Sequence, residues 1–274
     1  PMSYKSPIED FKYNLAMLNY DEVIAGIEKF KEYDSETLMS VVSEIGRLNE
    51  QEVLDSNKIG DREGLKYVTD GAEGPEVHTP ERFKKLYDAV KSSGYVGATM
   101  PTQYGGGGAP FTTAILAGEI GIAANMAFYM GPGLSHGAMK TILKKATEEL
   151  KDKYLPNMTS GEWMGTMCLT EPQCGTDLGL IKSTAVPKDD HYELTGQKIW
   201  ISFGEHDLTE NIIHLVLART PDAPEGIKGI SLFLVPKRLD DNSRNTIYCG
   251  GLEHKLGINS CLLYTSDAAD DASS

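Results

Sequence analysis

The sequence predicts an α+β chain in two parts: an all-α N-terminal domain over residues 1–160, then a small antiparallel β-barrel or sandwich over residues 161–260. Three observations predict it. Apolar residues recur at helical spacing from Phe11 to Val53 and again through residues 79–160. At Gly161 that period gives way to the alternation of strands. Six short strand-like runs then follow within about ninety residues, separated by turn residues.

The helical part divides into an extension, 1–56, and a second set, 79–160. Ser6-Pro7-Ile8-Glu9-Asp10 places a cap, a proline and two acids in helix-starting order, with Phe11, Leu15 and Leu18 on one face. A second helix is expected from Asp21, with Val23, Ile24, Ile27 and Phe30 as its stripe. A longer one follows Asp34-Ser35, carried by Leu38, Val41, Val42, Ile45, Leu48 and Val53. Residues 57–77 hold Gly60, Gly64, Gly71, Gly74 and Pro75 and read as a long loop. Thr79-Pro80-Glu81 opens the next helix and Gly94 closes it.

Gly105 to Gly108 suggest a nucleotide loop, but no strand precedes them and no Gly-Lys-Ser/Thr follows, so a structural turn is expected. Phe111 to Phe128 is apolar on most faces and should be a buried helix, broken by Gly131-Pro132-Gly133. Ser135 to Leu150 supplies another, with Lys144, Lys145 and Lys151 on its wet side; His136 near its start reads as structural. The expected strands are 164–169, 183–187, 192–202, 212–219, 230–236 and 246–250, with a hairpin turn at Asp189-Asp190.

Composition excludes several roles. A formal charge of −14 over 274 residues argues against nucleic acid and against an anionic membrane surface. No apolar run is read as long enough to span a bilayer, and Pro1 to Lys5 lead into no signal-peptide core. Cys168, Cys174, Cys249 and Cys261 form no C-x-x-C pair and no zinc pattern, so no metal site is expected. Free thiols suit a reducing, cytoplasmic setting.

The stretch with most chemistry runs from Glu162 to Ser202. A short buried strand, Met164 to Leu169, ends at Thr170-Glu171-Pro172, because Pro172 cannot donate to a ladder. Gly175 then frees the backbone beside Thr176 and Asp177. Such a loop can hold a phosphate or a polar ring edge; taken by itself, an ordinary turn is the simpler reading.

Two motifs in order change the balance. Thr170-Glu171-Pro172-x-x-Gly175-Thr176-Asp177, then Gly196-x-Lys198-x-Trp200-Ile201-Ser202, resemble the flavin-binding segment of the acyl-CoA dehydrogenase family. The likeness extends to Lys153-Tyr154-Leu155-Pro156, Gly229 to Lys237 and Glu253-His254-Lys255-Leu256-Gly257, and covers roughly residues 3–260. The wording at Met167 to Thr170 and Gly204 to Asp207 is nearest the larger-subunit branch that includes the 3-methylmercaptopropionyl-CoA dehydrogenases.

The resemblance implies FAD as cofactor and α,β-dehydrogenation of an acyl-CoA thioester as reaction. It implies flavin contacts from Met167, Cys168, Leu169, Thr170, Gly175, Thr176, Trp200, Ile201 and Ser202, with Thr176 also meeting the pantetheine arm of CoA. Gln173 and Cys174 depart from the small residues usual in that loop. The family's catalytic glutamate lies in a C-terminal helical domain, and no glutamate here matches its motif, so no catalytic residue is assigned. After Ser260 the family pattern stops, and residues 261–274 are expected to be a foreign, unpacked tail on a truncated frame. Such a chain would bind flavin weakly or not at all and be inactive alone. An electron-transfer flavoprotein is the implied electron acceptor, and a homo-oligomer the implied assembly. The alternatives are an acyl-CoA oxidase on the same fold and a non-catalytic acyl-CoA-binding or interaction protein.

Overall fold

The computed structural model describes Tyr4 to Cys261 in full and the backbone of Leu263–Ser273. Residues 1–3, 262 and 274 lie outside the described residues, and with them part of the Pro1 to Lys5 stretch read above.

The helical extension opens with α1 (Ile8–Met17), the single turn α2 (Tyr20–Val23) and α3 (Ser35–Leu48). Asp34 caps α3 by accepting from the Thr37 amide at 2.8 Å. A short π-helical stretch, Asn49–Val53, leads into α4 (Leu54–Glu63). Phe11, Leu15, Tyr20, Leu38, Met39 and Val42 form a small core against Leu116 and Ile120.

Three expectations fail in this part. The stripe from Val23 to Phe30 is not a helix face: Asn19 turns left-handed ahead of α2, a 3-10 turn occupies Glu28–Phe30, and Val23 and Ile27 are exposed. Pro7, not Ser6, stands at the cap of α1, without a side-chain cap bond, and Leu18 and Val41 face solvent. The loop read over residues 57–77 is half helix and half hairpin. After α4, β1 (Lys66–Gly71) pairs antiparallel with β2 (Gly74–His78), so the N-terminal domain is not all-α. The glycines there serve the turn between two strands rather than a structureless connection.

α5 (Glu81–Ser92) begins and ends where the sequence places it, with Gly94 at φ +76° just beyond. Gly105 to Gly108 form a turn after a 3-10 segment, Thr102–Tyr104. α6 (Phe111–Lys145) then runs past the Gly-Pro-Gly stretch that was expected to break it, and α7 (Glu148–Ser160) follows a Thr147 cap.

The interruption in α6 falls at Asn125 (φ −156°, ψ 92°). Its Oδ1 accepts from the Phe128 amide at 3.1 Å and its Nδ2 donates to Ser56 Oγ at 2.8 Å, so one side chain caps the second half and ties it to α4. Gly131 is small for another reason: a Cβ there would strike the Phe203 ring. Replacing Asn125 by Ala should cost about 1–2 kcal/mol in urea unfolding through loss of the cap and the buried bond; an unchanged midpoint would mean the kink is held by other contacts.

α6 also corrects two statements. It is long and apolar enough to cross a membrane by length and composition, although one face is buried in the protein core. Nor is it apolar-buried on most sides, since Phe111, Ile115 and Ile122 are exposed.

The strands are β3 (Trp163–Cys168), β4 (Thr184–Pro187), β5 (Tyr192–Ser202), β6 (Asn211–Ala218), β7 (Ser231–Pro236), β8 (Ile247–Leu252) and β9 (Leu263–Ser273). They form two open sheets, ordered β3-β6-β7 and β4-β5-β9-β8, rather than a closed barrel. β3 and β6 pair in parallel, which overturns the wholly antiparallel expectation. The β4–β5 hairpin between them belongs to the other sheet and supplies the long crossover a parallel pair requires. The stretch expected to stay unpacked contributes β9, whose backbone pairs antiparallel with β5 and β8.

Candidate flavin-facing site

The two sequence motifs meet at the junction of β3 and β5. Along β3, Met164, Thr166 and Cys168 point between the sheets and are buried, while Gly165 faces α6 and α7 so closely that a Cβ would meet Ala138 and Met158. Met167 and Leu169 continue that helical side and are half-buried. At the strand end the Ile199 amide donates to the Thr170 carbonyl at 2.8 Å, and Lys198 Nζ donates to the Leu169 carbonyl at 3.2 Å. Residues 167–170 and 199–202 are thereby joined.

Glu171 anchors the junction. Its carboxylate accepts from Lys198 Nζ (2.7 Å), Ser183 Oγ (2.5 Å), the Ser183 amide (3.1 Å), the Lys182 amide (2.7 Å) and Gln173 Nε2 (2.5 Å). Burial pushes its pKa up, but the bonds from Lys198, Ser183 and the Lys182 amide outweigh burial and hold it at about 2. Gly196 makes this possible, because a Cβ there would overlap the Ser183 hydroxyl. A lysine on the inward register of β5, two residues from Gly196 and four from Leu194, was the legible sign that a buried acid must face it.

Beyond Glu171 the chain closes a tight turn, with Glu171 and Cys174 exchanging backbone bonds at 2.9 and 3.0 Å. Gly175 and Thr176 stand exposed after it. Asp177 accepts from the Gly179 amide at 3.0 Å, and Arg219 then donates to the carbonyls of Gly179 (2.7 Å), Ile181 (2.9 Å), Pro224 (3.1 Å) and Gly226 (2.8 Å). Arg219 thus fixes the far end of the loop, a role the sequence alone did not suggest.

Trp200 is the outlier. It sits in a bulge of β5 at φ +59°, a conformation costly for a bulky residue, and 45% of its surface stays exposed. Lys255 Nζ lies 5.2 Å from the ring centroid. Ser202 beside it is half-buried. Not every residue of the set presents its side chain here. Cys168 faces the core near His214 and Thr166, where burial lifts its thiol to about 11, and Ile201 is buried with the hydrophobic core. Only their backbones border the junction.

The helical and β parts are bolted together at a second point the sequence did not reveal. Asp207 accepts from the Thr79 amide (3.0 Å) and hydroxyl (2.7 Å), and pairs with His78 Nδ1 (3.1 Å) and Lys84 Nζ (2.8 Å). Thr79 therefore binds across domains instead of capping α5. Burial raises the Asp207 pKa and these donors, led by Lys84, bring it down to about 2.

Among the described residues no group of three or more His, Cys, Asp or Glu is placed to hold a metal. Residues 66–162 match the acyl-CoA dehydrogenase N-terminal domain, and residues 166–267 match the acyl-CoA dehydrogenase middle domain. The 3-methylmercaptopropionyl-CoA dehydrogenase of Ruegeria pomeroyi is 40% identical over 263 residues, or 94% of this chain and 44% of that protein. A chain of the solved electron transferring flavoprotein of Acidaminococcus fermentans superposes with a TM-score of 0.72 at 25% identity, over 88% of this chain and 57% of that one. The acyl-CoA dehydrogenase from Bacillus anthracis, complexed with FAD, shares the fold at a TM-score of 0.69 and 24% identity, over 88% and 38% of the two chains. The chain spans less than half the length of the Ruegeria protein.

Proposed function

This chain belongs to the acyl-CoA dehydrogenase family, and from that premise we propose that the β3–β5 junction is the flavin-facing wall of an enzyme that dehydrogenates the α,β bond of an acyl-CoA thioester. The observation that carries the reading is Trp200: an exposed indole held in a left-handed bulge beside Thr170 and Ser202. Strain of roughly 1–3 kcal/mol at such a position is typical of a site that needs the geometry.

The residues fit FAD. A flat, half-exposed ring beside half-buried Met167 and Leu169 suits an apolar ring system, and the hydroxyls of Thr170 and Ser202 suit its polar rim. Gly175 and Thr176 form the exposed turn that would hold the pyrophosphate, with Thr176 also meeting pantetheine. The backbones of Cys168 and Ile201 complete the wall. The chemistry supplied by bound FAD would be that of a hydride acceptor for the β-hydrogen.

The chain's own residues position and shield. Trp200 would keep water from one side of a bound ring, and Lys198 and Glu171 hold the two motifs in register. Glu171 does not serve as base: it is buried, it is ionised down to about pH 2, and its oxygens are already bonded to five donors. No glutamate among the described residues matches the motif of the family's base, so we propose that this chain by itself is inactive and binds flavin weakly.

Electron transfer to an electron-transfer flavoprotein, a homo-oligomeric assembly and a cytoplasmic setting belong to the same reading. The last is supported by four buried, unbridged cysteines. The test uses the protein expressed from its natural gene, loaded with FAD and mixed with acyl-CoA without oxygen. Bleaching of the flavin band is expected. CoA binding without bleaching would favour the non-catalytic binding protein, and rapid reoxidation by oxygen the oxidase.

A further inference from the structure

Between β8 and β9 the chain leaves the sheet, and residues 253–261 cross as a strap onto the end of α4. Asn259 fastens it: its amide donates to Asp61 Oδ1 at 3.0 Å and its Nδ2 to the Asp61 carbonyl at 3.3 Å. Ser260 follows, seated so closely against Gly60 that a Cβ on that glycine would meet the serine hydroxyl. The strap is also tied within itself. The Ile258 amide donates to the Lys255 carbonyl at 3.3 Å and the Cys261 amide to the Ile258 carbonyl at 2.8 Å, with Gly257 left-handed between them at φ +77°.

This path brings Lys255 over the Trp200 ring, with Nζ 5.2 Å from the centroid, inside the reach of a cation–π contact. Among the described residues no carboxylate lies within ion-pair distance of Lys255, so the contact is not the by-product of a salt bridge. Trp200 for its part needs restraint. Its backbone is left-handed at φ +59° in the bulge of β5, and 45% of the residue is exposed, so packing alone leaves the indole room to turn.

We propose that Lys255 is a positioning residue: it holds the Trp200 indole in the orientation presented by the flavin wall, and the Asn259–Asp61 anchor holds Lys255. The purpose of this role rests on the flavin-wall reading; its geometry does not. Lys255 meets no reacting atom and acts through the ring alone. One exposed cation–π contact shifts an orientation equilibrium by about two- to fivefold, so the ring is biased and not locked.

The test uses the chain carrying Trp163→Phe, which leaves Trp200 as its one tryptophan. Time-resolved fluorescence anisotropy and acrylamide quenching then report the indole. Lys255→Met, which keeps the aliphatic stem and removes the charge, should lower the order of the indole and raise quenching without moving the melting temperature. Lys255→Arg should restore both. Asp61→Ala should loosen the indole in the same way with the lysine intact. FAD titrations should show affinity falling about two- to fivefold in Lys255→Met and recovering in Lys255→Arg. Unchanged indole order in Lys255→Met or Asp61→Ala, no rescue by arginine, or tighter FAD binding without the lysine would overturn the proposal. Loosened indole with no FAD binding by any of these proteins would instead refute the flavin wall, and Lys255 would stand as the holder of the ring.

Discussion

Replacing Lys198 by Met should lower the unfolding free energy by about 3–5 kcal/mol, a large part of the roughly 5–15 kcal/mol typical of a folded chain. The reason is Glu171. Its side chain is 3% exposed, and Lys198, 5% exposed, is its one cationic partner among the described residues. Removing the cation leaves a buried carboxylate with neutral donors only, so the loop from Thr170 to Lys182 loses its tie to β5. A double substitution, Lys198→Met with Glu171→Leu, should recover much of the loss, because replacing both members of a buried pair avoids the unpaired charge. Urea denaturation of the three proteins measures it. A single variant within 1 kcal/mol of wild type would mean water reaches Glu171 and the junction is not anchored as described.

Acidification should destabilise the chain steeply, by the same logic. Glu171 and Asp207 are both held at about 2, against ordinary values of 4.5 and 3.8. Their contribution is therefore complete above about pH 5 and is lost as pH falls toward 2, roughly 2–3 kcal/mol for each group. The buried histidines His206 and His214 act in the same direction from higher pH. Burial depresses both to about 3 from 6.5, so the unfolded chain takes up their protons first as pH drops. Unfolding free energies measured by urea from pH 7 to pH 2.5 should fall throughout, and Asp207→Asn should flatten only the lower limb. A flat profile below pH 5 would contradict the burial of these carboxylates in hydrogen-bonded networks.

Much of this architecture was legible because local signals and tertiary demands agree. β5 runs over the predicted residues, since Tyr192 to Ser202 combines strand propensity with a turn at Asp189-Asp190. Where they disagree, the sequence misleads. Gly131-Pro132-Gly133 carries breaker residues, yet the break sits at Asn125, where a side chain can cap the next turn and bond Ser56. Such a partner is 69 residues away in sequence and invisible to a local window. The parallel pairing of β3 with β6 was hidden for a like reason, since the hairpin between them joins another sheet.

The candidate site divides in the same way. The resemblance of the two motifs implied a flavin wall, where the residue types alone read as an ordinary turn, and the structure brings residues 167–170 against 199–202. Which side chains face outward was legible only in part: Cys168 lies in the strand read as buried and turns to the core, whereas the inward turn of Ile201 and the outward one of Trp200, set by a bulge, left no sign in the sequence. The anchors Glu171–Lys198, Arg219 and Asp207 depend on contacts between distant segments, and only Lys198, inward on its strand, left a trace in the sequence.

The most direct measurement is a titration of FAD into this chain and into its Trp200→Ala variant, followed by flavin fluorescence. The flavin-wall reading predicts weak, saturable quenching by the unmodified chain and a loss of at least tenfold in affinity on removal of the indole. Quenching that is the same in both proteins, or absent from the unmodified chain, would contradict it.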